Sequence, residues 1–513
     1  MKAVFATLLA IALATPASAD WYEASTDHFV IYADDSEKDV REFAESLERY
    51  HSALEYVTGR DLPTPSPSNR VTIFAVGGER TMKKLAGDSD VAGFYSPRAG
   101  ASKAFVQNIR MRSGYPSFST VILLHEYAHH FLISSSRYAM PLWMSEGAAE
   151  FFAATTFEKD GSILIGRPAQ HRTGDLAISR DMKIDELLDP FASKKAKGRL
   201  HPGFYGRAWL LYHYLTFEQE RAGQLTNYWV NTANGKSSMD AAREAFGDLG
   251  KLEGELKSYL TRRQMYQFNL PAEKLTTGPI RLRELPEGEA KMMPIRIRSQ
   301  RGVDSTTASE VLADARKVAA RYPTDPGVLT ALAEAEFDAG NDKEAIAAAD
   351  AALAQNPALA NAYIQKGYAL FRMANEAEDK DAAFTAAMQP FSQLNKLEND
   401  HPLPLVFYYR NYMARGAEPT DTAKHAIERA AELAPFDSDL WIQTALMQAG
   451  EGKIVLARSS LRPVANAPHG GGNADVAKML LTILDQAEEG NAFAIGPDLM
   501  ETMAVAVTTA TDE

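Results

Sequence analysis

Residues 121–153 read VILLHEYAHHFLISSSRYAMPLWMSEGAAEFFA, and this stretch decides how the rest of the chain is read. His125, Glu126 and His129 form an HExxH. On an α-helix, side chains four positions apart lie one above the other, so both histidines can aim a ring nitrogen at one metal ion. Glu126 is offset by one residue, about 100° round the helix, which puts its carboxylate within reach of a water on that metal, the place of a general base. Pro141 fits the first turn of a second helix, which presents Glu146 and Glu150 on one face, while Gly147 lets it approach the first helix closely.

Glu146 is the expected third ligand. A His/His/Glu set leaves one tetrahedral position for water, whose pKa falls to about 7 on zinc, and the implied chemistry is peptide-bond hydrolysis with one Zn2+ per chain. Glu150 is expected behind the ligands, orienting a histidine or the water. His130 shares a face with Glu126 rather than with the ligand pair and is read as a locally hydrogen-bonded, partly buried histidine. With no cysteine in 513 residues, thiolate ligands, disulfides and cysteine nucleophiles are excluded.

HEYAH followed by WMSEGAAEF, with sixteen residues between His129 and Glu146, resembles the gluzincin metallopeptidases. More narrowly, STDHFVIYA, VAGFY, LLHEYAHHF and FYGRAWLLYHYL are similar in order and spacing to bacterial peptidase-MA-like proteins, which often carry tetratricopeptide repeats behind the protease. The resemblance spans residues 20–265 and is most specific at the metal motif. It implies His125, His129 and Glu146 as zinc ligands, Glu126 as catalytic base, and a sheet-edge strand within 93–110 that holds extended substrate by backbone pairing. It also suggests a tyrosine after the third ligand as oxyanion donor. Tyr205 is the candidate for that role, with His201, Arg207 and His213 as alternatives and core packing as the competing use of an aromatic. The G-x-M-E-N strand with which aminopeptidases of this superfamily hold a free amine is missing from the sequence, so that specificity loses support.

The net charge of -13 disfavours nucleic acid and anionic membrane surfaces as partners. MKAVFATLLAIALATPASAD, residues 1–20, reads as a secretory signal peptide over 1–19, with a mature chain from Asp20 that is periplasmic or secreted and has no membrane span.

Along that chain, HFVIYA (28–33), VTIFAV (71–76) and residues 104–109 read as strands, and Val40, Phe43, Leu47, Tyr50 and Leu54 mark an amphipathic helix ending near Gly59. Further helices are expected over 201–215 and 238–263. Residues 269–300 lack sustained helical periodicity and read as a linker with one or two strands. Beyond them, PGVLTALAEAEFDAGNDKEAIAAADAALAQNP (326–357) has the small-residue spacing of a tetratricopeptide repeat, and Pro402, Pro435 and Pro468 recur at steps of 33. Four units are expected within 301–490, plus a partial helix at 307–322, an insertion near Asn375 to Ala382, and a poorly ordered tail over 491–513.

The expected architecture is an α+β zincin-like metallopeptidase domain over 20–268 followed by an all-α tetratricopeptide-repeat solenoid. The expected function is a zinc peptidase acting on peptide or protein substrates, with a protein partner or substrate on the repeats. The alternative is a non-enzymatic envelope scaffold working through its repeats, its zinc site a relic.

Overall fold

Alternation of inward and outward side chains in a short run of strands sets the first layer of the molecule. In the computed structural model, residues 21–87, 91–111, 114–179, 182–191, 199–468 and 470–493 are described. The expected signal peptide, and the expected tail from 494 on, lie outside them. The chain opens with β1 (Trp21–Ser25), β2 (Phe29–Asp34), α1 (Glu37–Thr58), β3 (Val71–Ala75), α2 (Glu79–Ala86), β4 (Gly93–Ser96) and β5 (Lys103–Val106). The strands join in the order β4-β5-β3-β2-β1, with β2, β3 and β5 parallel and β4 antiparallel at the edge. Val71, Ile73 and Ala104 point to one face, Phe74 and Phe105 to the other, as the two-residue period requires.

α1 covers the first face through the five apolar positions read from the sequence, all fully buried. Ser36 caps it by accepting from Asp39 N, and Gly59, in the left-handed conformation at φ 66°, ends it. Beside it lies α3 (Phe118–Ser134), the HExxH helix, capped by Ser117 and tied to α1 by the bond from Tyr50 Oη to Leu124 O at 3.0 Å. α4 (Leu142–Ala153) follows, Pro141 sitting at its cap.

After β6 (Thr156–Phe157), β7 (Ile163–Ile165), α5 (Thr173–Ile178) and α6 (Ile184–Leu188) comes α7 (Phe204–Phe217). Here Gly147 corrects an expectation. A Cβ on it would stand 2.5 Å from Ala208 O and 3.0 Å from Tyr212 Cβ, so the glycine admits α7, not α3, against α4. Next come α8 (Gln224–Ala233), α9 (Ser238–Phe246), α10 (Leu249–Leu260) and β8 (Phe268–Leu270), the last completing a small sheet in the order β6-β7-β8.

The stretch read as a linker is integral to both halves. β9 (Arg281–Glu284) pairs with β1 as the sixth strand of the main sheet, and α11 (Glu287–Gln300) packs Met293 and Ile297 on the second face, against Trp21, Tyr32, Phe74 and Phe105. Its helical period was hidden because it carries Pro294 and is apolar on two sides, one toward the sheet and one, through Met292, toward α12 (Ser305–Ala319). The partial helix expected at 307–322 is therefore α12, the second arm of a complete hairpin.

Hairpins then follow as α13 (Pro326–Asp338) with α14 (Asp342–Gln355), α15 (Ala360–Asn375) with α16 (Lys380–Leu397), α17 (Pro402–Ala414) with α18 (Asp421–Leu433), and α19 (Ser438–Gly450) with α20 (Ile454–Ala465). α21 (Gly472–Leu484) packs on the last pair. The small positions let helices touch: a Cβ on Gly367 would meet the Phe391 ring at 2.5 Å. The insertion expected near 375–382 holds only a four-residue turn, 376–379. α15 and α16, at 16 and 18 residues against 13 and 14 in the preceding pair, absorb it as added helix.

Candidate metal centre

Two buried helices supply the centre. His125 and His129 project from α3, and Glu146 and Glu150 from α4, with both carboxylates 0% exposed. His125 Nε2 and His129 Nε2 lie 3.1 Å apart, and each is 3.4 Å from Glu146 Oε2. Neither oxygen of Glu146 accepts a hydrogen bond, and 3.4 Å is long for one. Leaving a buried carboxylate so placed is costly unless positive charge meets it, an imidazolium of the pair without metal or a metal ion with it. A tetrahedral ion with donors at about 2.0–2.1 Å has ligand–ligand edges of about 3.3–3.4 Å; the two separations to Glu146 match at 3.4 Å, and the histidine pair is a little closer at 3.1 Å. Among the described residues, His125, His129 and Glu146 are the one group of three such side chains whose donor atoms converge in this way.

Glu150 stands behind this set. Its Oε1 is 3.1 Å from His125 Nδ1, and its Oε2 is bonded to His171 Nε2 at 2.6 Å. Arg172 donates from Nη2 to Glu150 Oε1, and Tyr115 Oη bonds His171 Nδ1. Ser145 Oγ lies 3.3 Å from His129 Nδ1. Each ligand histidine is thus approached on its rear nitrogen by an oxygen, the usual way such rings are oriented.

The charges follow from this packing. Burial alone would lower the His125 imidazole, but the Glu150 charge and contacts with Glu146 and Glu150 outweigh it and hold it up at about 10. Burial would raise Glu146 and Glu150, yet His129 and His125 hold the first, and His125, His171 and Arg172 the second, below the ordinary carboxylate range.

Glu126 is partly exposed on the same turn as His125. Burial first, and the Glu126 charge among the smaller causes, raise the phenols of Tyr95 on β4 and Tyr205 on α7. Burial first and the Glu146 charge second push Tyr205 up to about 12, so it is a neutral donor at any physiological pH. The Arg172 guanidinium lies over its ring, 4.8 Å from the centroid. Two alternatives to Tyr205 are committed elsewhere: Arg207 pairs with Glu253 at 2.7 Å, and His213 Nε2 contacts Gly166 O and Tyr266 O at 2.8 and 3.1 Å. His130 is partly buried and hydrogen-bonded, but not locally as expected: its Nδ1 lies 2.6 Å from Tyr95 Oη on β4, 35 residues away.

His171, Arg172, Tyr115 and Tyr95 were not expected at the centre. The first two lie in a single 3-10 turn, Gln170–Arg172, after β7, too short for a period to mark direction, and only the VAGFY stretch pointed toward Tyr95. A cavity of about 740 Å3 between α2, α11 and α12, lined by Trp21, Val76, Leu85, Ile297 and Val311, shares no residue with the centre.

No family model matches the chain, and no curated protein matches it. Solved structures similar to it are tetratricopeptide-repeat proteins. One from Thermus thermophilus is 15% identical over 38% of this chain and 98% of its own, with a TM-score of 0.32. One from Parabacteroides merdae is 12% identical over 56% and 91%, with a TM-score of 0.32. MamA from Desulfovibrio magneticus is 17% identical over 38% and 96%, with a TM-score of 0.26. Among the described residues, no helix is long and apolar enough to cross a membrane.

Proposed function

We propose that this chain is a zinc-dependent peptidase of gluzincin type, exported by residues 1–19, with His125, His129 and Glu146 as the metal ligands. The observation that carries the reading is the convergence of three buried donors at 3.1–3.4 Å, with Glu126 on the same turn as His125. A purely structural site needs the ligands but has no use for a neighbouring base. When bound, zinc supplies a Lewis acid that polarises a carbonyl and makes water acidic enough to lose a proton near neutrality.

The chain's own residues do the rest. Glu126 accepts a proton from the attacking water and returns it to the leaving amine. Tyr205, neutral with its phenol raised to about 12, donates a hydrogen bond to the oxyanion that develops on the scissile carbonyl. Glu150 holds His125 through Nδ1 and keeps Nε2 turned inward. The outer edge of β4, unpaired among the described residues, is where an extended peptide would add as a further strand.

The test is metal content and hydrolysis of a quenched fluorescent casein by protein beginning at Asp20. The parent is expected to hold about one zinc and to be active, Glu146→Ala to lose the metal, and Glu126→Gln to keep it while losing about 10²–10⁴-fold in rate. A parent that takes up no zinc when it is offered overturns the reading.

The second reading is the scaffold, and what favours it is the array of paired helices over 287–484. A cellular role that survives Glu126→Gln with zinc still bound would favour it over the peptidase.

A further inference from the structure

The hairpin array does not hang free of the α/β half. The turns that pass from one hairpin to the next meet two loops beside the metal helix. Asp437, the cap of α19, accepts at Oδ2 from Ala99 N at 2.9 Å, in the turn between β4 and β5. Gly100, at φ 84° in the same turn, comes so close to the start of α17 that a Cβ would stand 2.9 Å from Leu403 and 3.0 Å from His401. Its N–H donates to Asn69 Oδ1 at 3.0 Å, and Asn69 Nδ2 donates to Leu433 O at 2.9 Å. Ser68 donates to Glu398 from both N and Oγ, at 3.0 and 2.8 Å. Ala99 and Ile133 pack into the array's own apolar cluster.

The same turn of the array reaches α3. Phe436 packs on His130 with ring centroids 4.4 Å apart, and His130 bonds Tyr95 Oη on β4. One three-residue segment, 435–437, therefore reaches the C-terminal end of the strand beside α3 at two points: its exit turn directly through Asp437, and its Tyr95 by way of the Phe436–His130 contact. β4 is only four residues long and, among the described residues, has a neighbour on one side alone, so its own ladder holds it weakly.

We propose that Asp437 is a positioning residue for the peptidase, and that the repeat array serves this chain by clamping the β4–β5 hairpin at the register an incoming peptide must pair with. The inference rests on the peptidase reading. Backbone pairing along a strand binds the ground state and the transition state alike, so its loss raises KM and leaves kcat unchanged. Partial unfolding does the reverse, because fewer active molecules lower apparent kcat at constant KM.

The experiment compares full-length zinc-loaded parent, Asp437→Ala and Asp437→Asn, the last keeping an acceptor for Ala99 N. Readouts are casein hydrolysis, zinc content and amide exchange over 93–102. Expected for Asp437→Ala are a KM about tenfold higher, unchanged kcat and zinc, and exchange in 93–102 at least about tenfold faster, with Asp437→Asn within about twofold of the parent. An active parent whose KM ignores Asp437→Ala, or a loss confined to kcat, overturns the inference and leaves the peptidase reading standing. A zinc-loaded parent without activity overturns both.

Discussion

α3 carries histidines on two faces, and the two sets live in opposite electrostatic worlds. His125 and His129 face α4, where the fully buried carboxylates of Glu146 and Glu150 converge on them, and His125 is held up at about 10. His130 faces the other way, toward a second set in which His51 of α1 bonds Tyr127 Oη at 2.7 Å and stacks on His28 with centroids 3.6 Å apart. Burial, then the proximity of His28 and His130, pushes His51 down to about 2; burial, then His28, takes His130 to about 3. Carboxylates reach this set too: Glu48, itself buried, bonds His28 Nδ1 at 2.8 Å, and Glu55, partly exposed, stands 3.3 Å from His51 Nε2. Burial is alike in the two places. The difference is whether a second helix brings buried carboxylates onto both rings, and that separates His125 and His129 from His51 and His130, whose imidazoles burial pushes down.

The comparison breaks most severely at Glu150. Glu150→Ala strips His125, His171 and Arg172 of their common buried partner, and such a loss costs about 3–5 kcal/mol of stability and about 10–100-fold in metal affinity. Denaturant melts and a zinc titration against a chelator read both, and a change under about 1 kcal/mol would mean that the carboxylate is not what distinguishes the two sets.

Acidification tests the second set. A histidine near 6.5 when unfolded but depressed when folded contributes stability that is complete above about 6.5 and is lost as pH falls toward the folded value, about 1.4 kcal/mol per pH unit. His51 at about 2, with His213 and His401 at about 4 in equally buried places, all act in this direction. Stability is expected to fall between about pH 6.5 and 5, and His51→Gln to remove about one proton from the slope. A slope that His51→Gln leaves unaltered would place that ring in solvent.

The smallest effect is expected at His130. His130→Phe keeps the stack on Tyr127 and Phe436 and loses the hydrogen bond from Tyr95, at about 0.5–1.5 kcal/mol, with zinc content unchanged. Loss of zinc in this variant would show that the two faces of α3 are not independent.

Legibility in the sequence tracked locality. His125, Glu126 and His129 could be placed together because four-residue spacing is a property of one helix, and Ser36 and Gly59 bounded α1 because caps are local chemistry. The hairpins from 326 on were legible because each repeats its small positions, although the added residues of the α15–α16 pair read as an insertion rather than as longer helices. α11 escaped because it is apolar toward both the sheet and α12, which erases the one-sided stripe that marks a helix. β1 was missed as a strand of five residues whose identity rests on its neighbours, while β4 lies at the sheet edge inside the 93–110 range expected for such a strand, which the sequence could not narrow to its four residues.

The chain's own order of residues was enough to determine the HExxH pair, its neighbouring carboxylate, a second helix bearing Glu146, and the hairpin array, since each depends on contacts a few residues apart. Only the tertiary structure decided that Gly147 admits α7, that His171 and Arg172 close on Glu150, and that the array grips the β4–β5 turn through Asp437. Those contacts join side chains from 21 to 338 residues apart, and at such separations direction and distance are set by how helices and sheet pack, which no local period encodes.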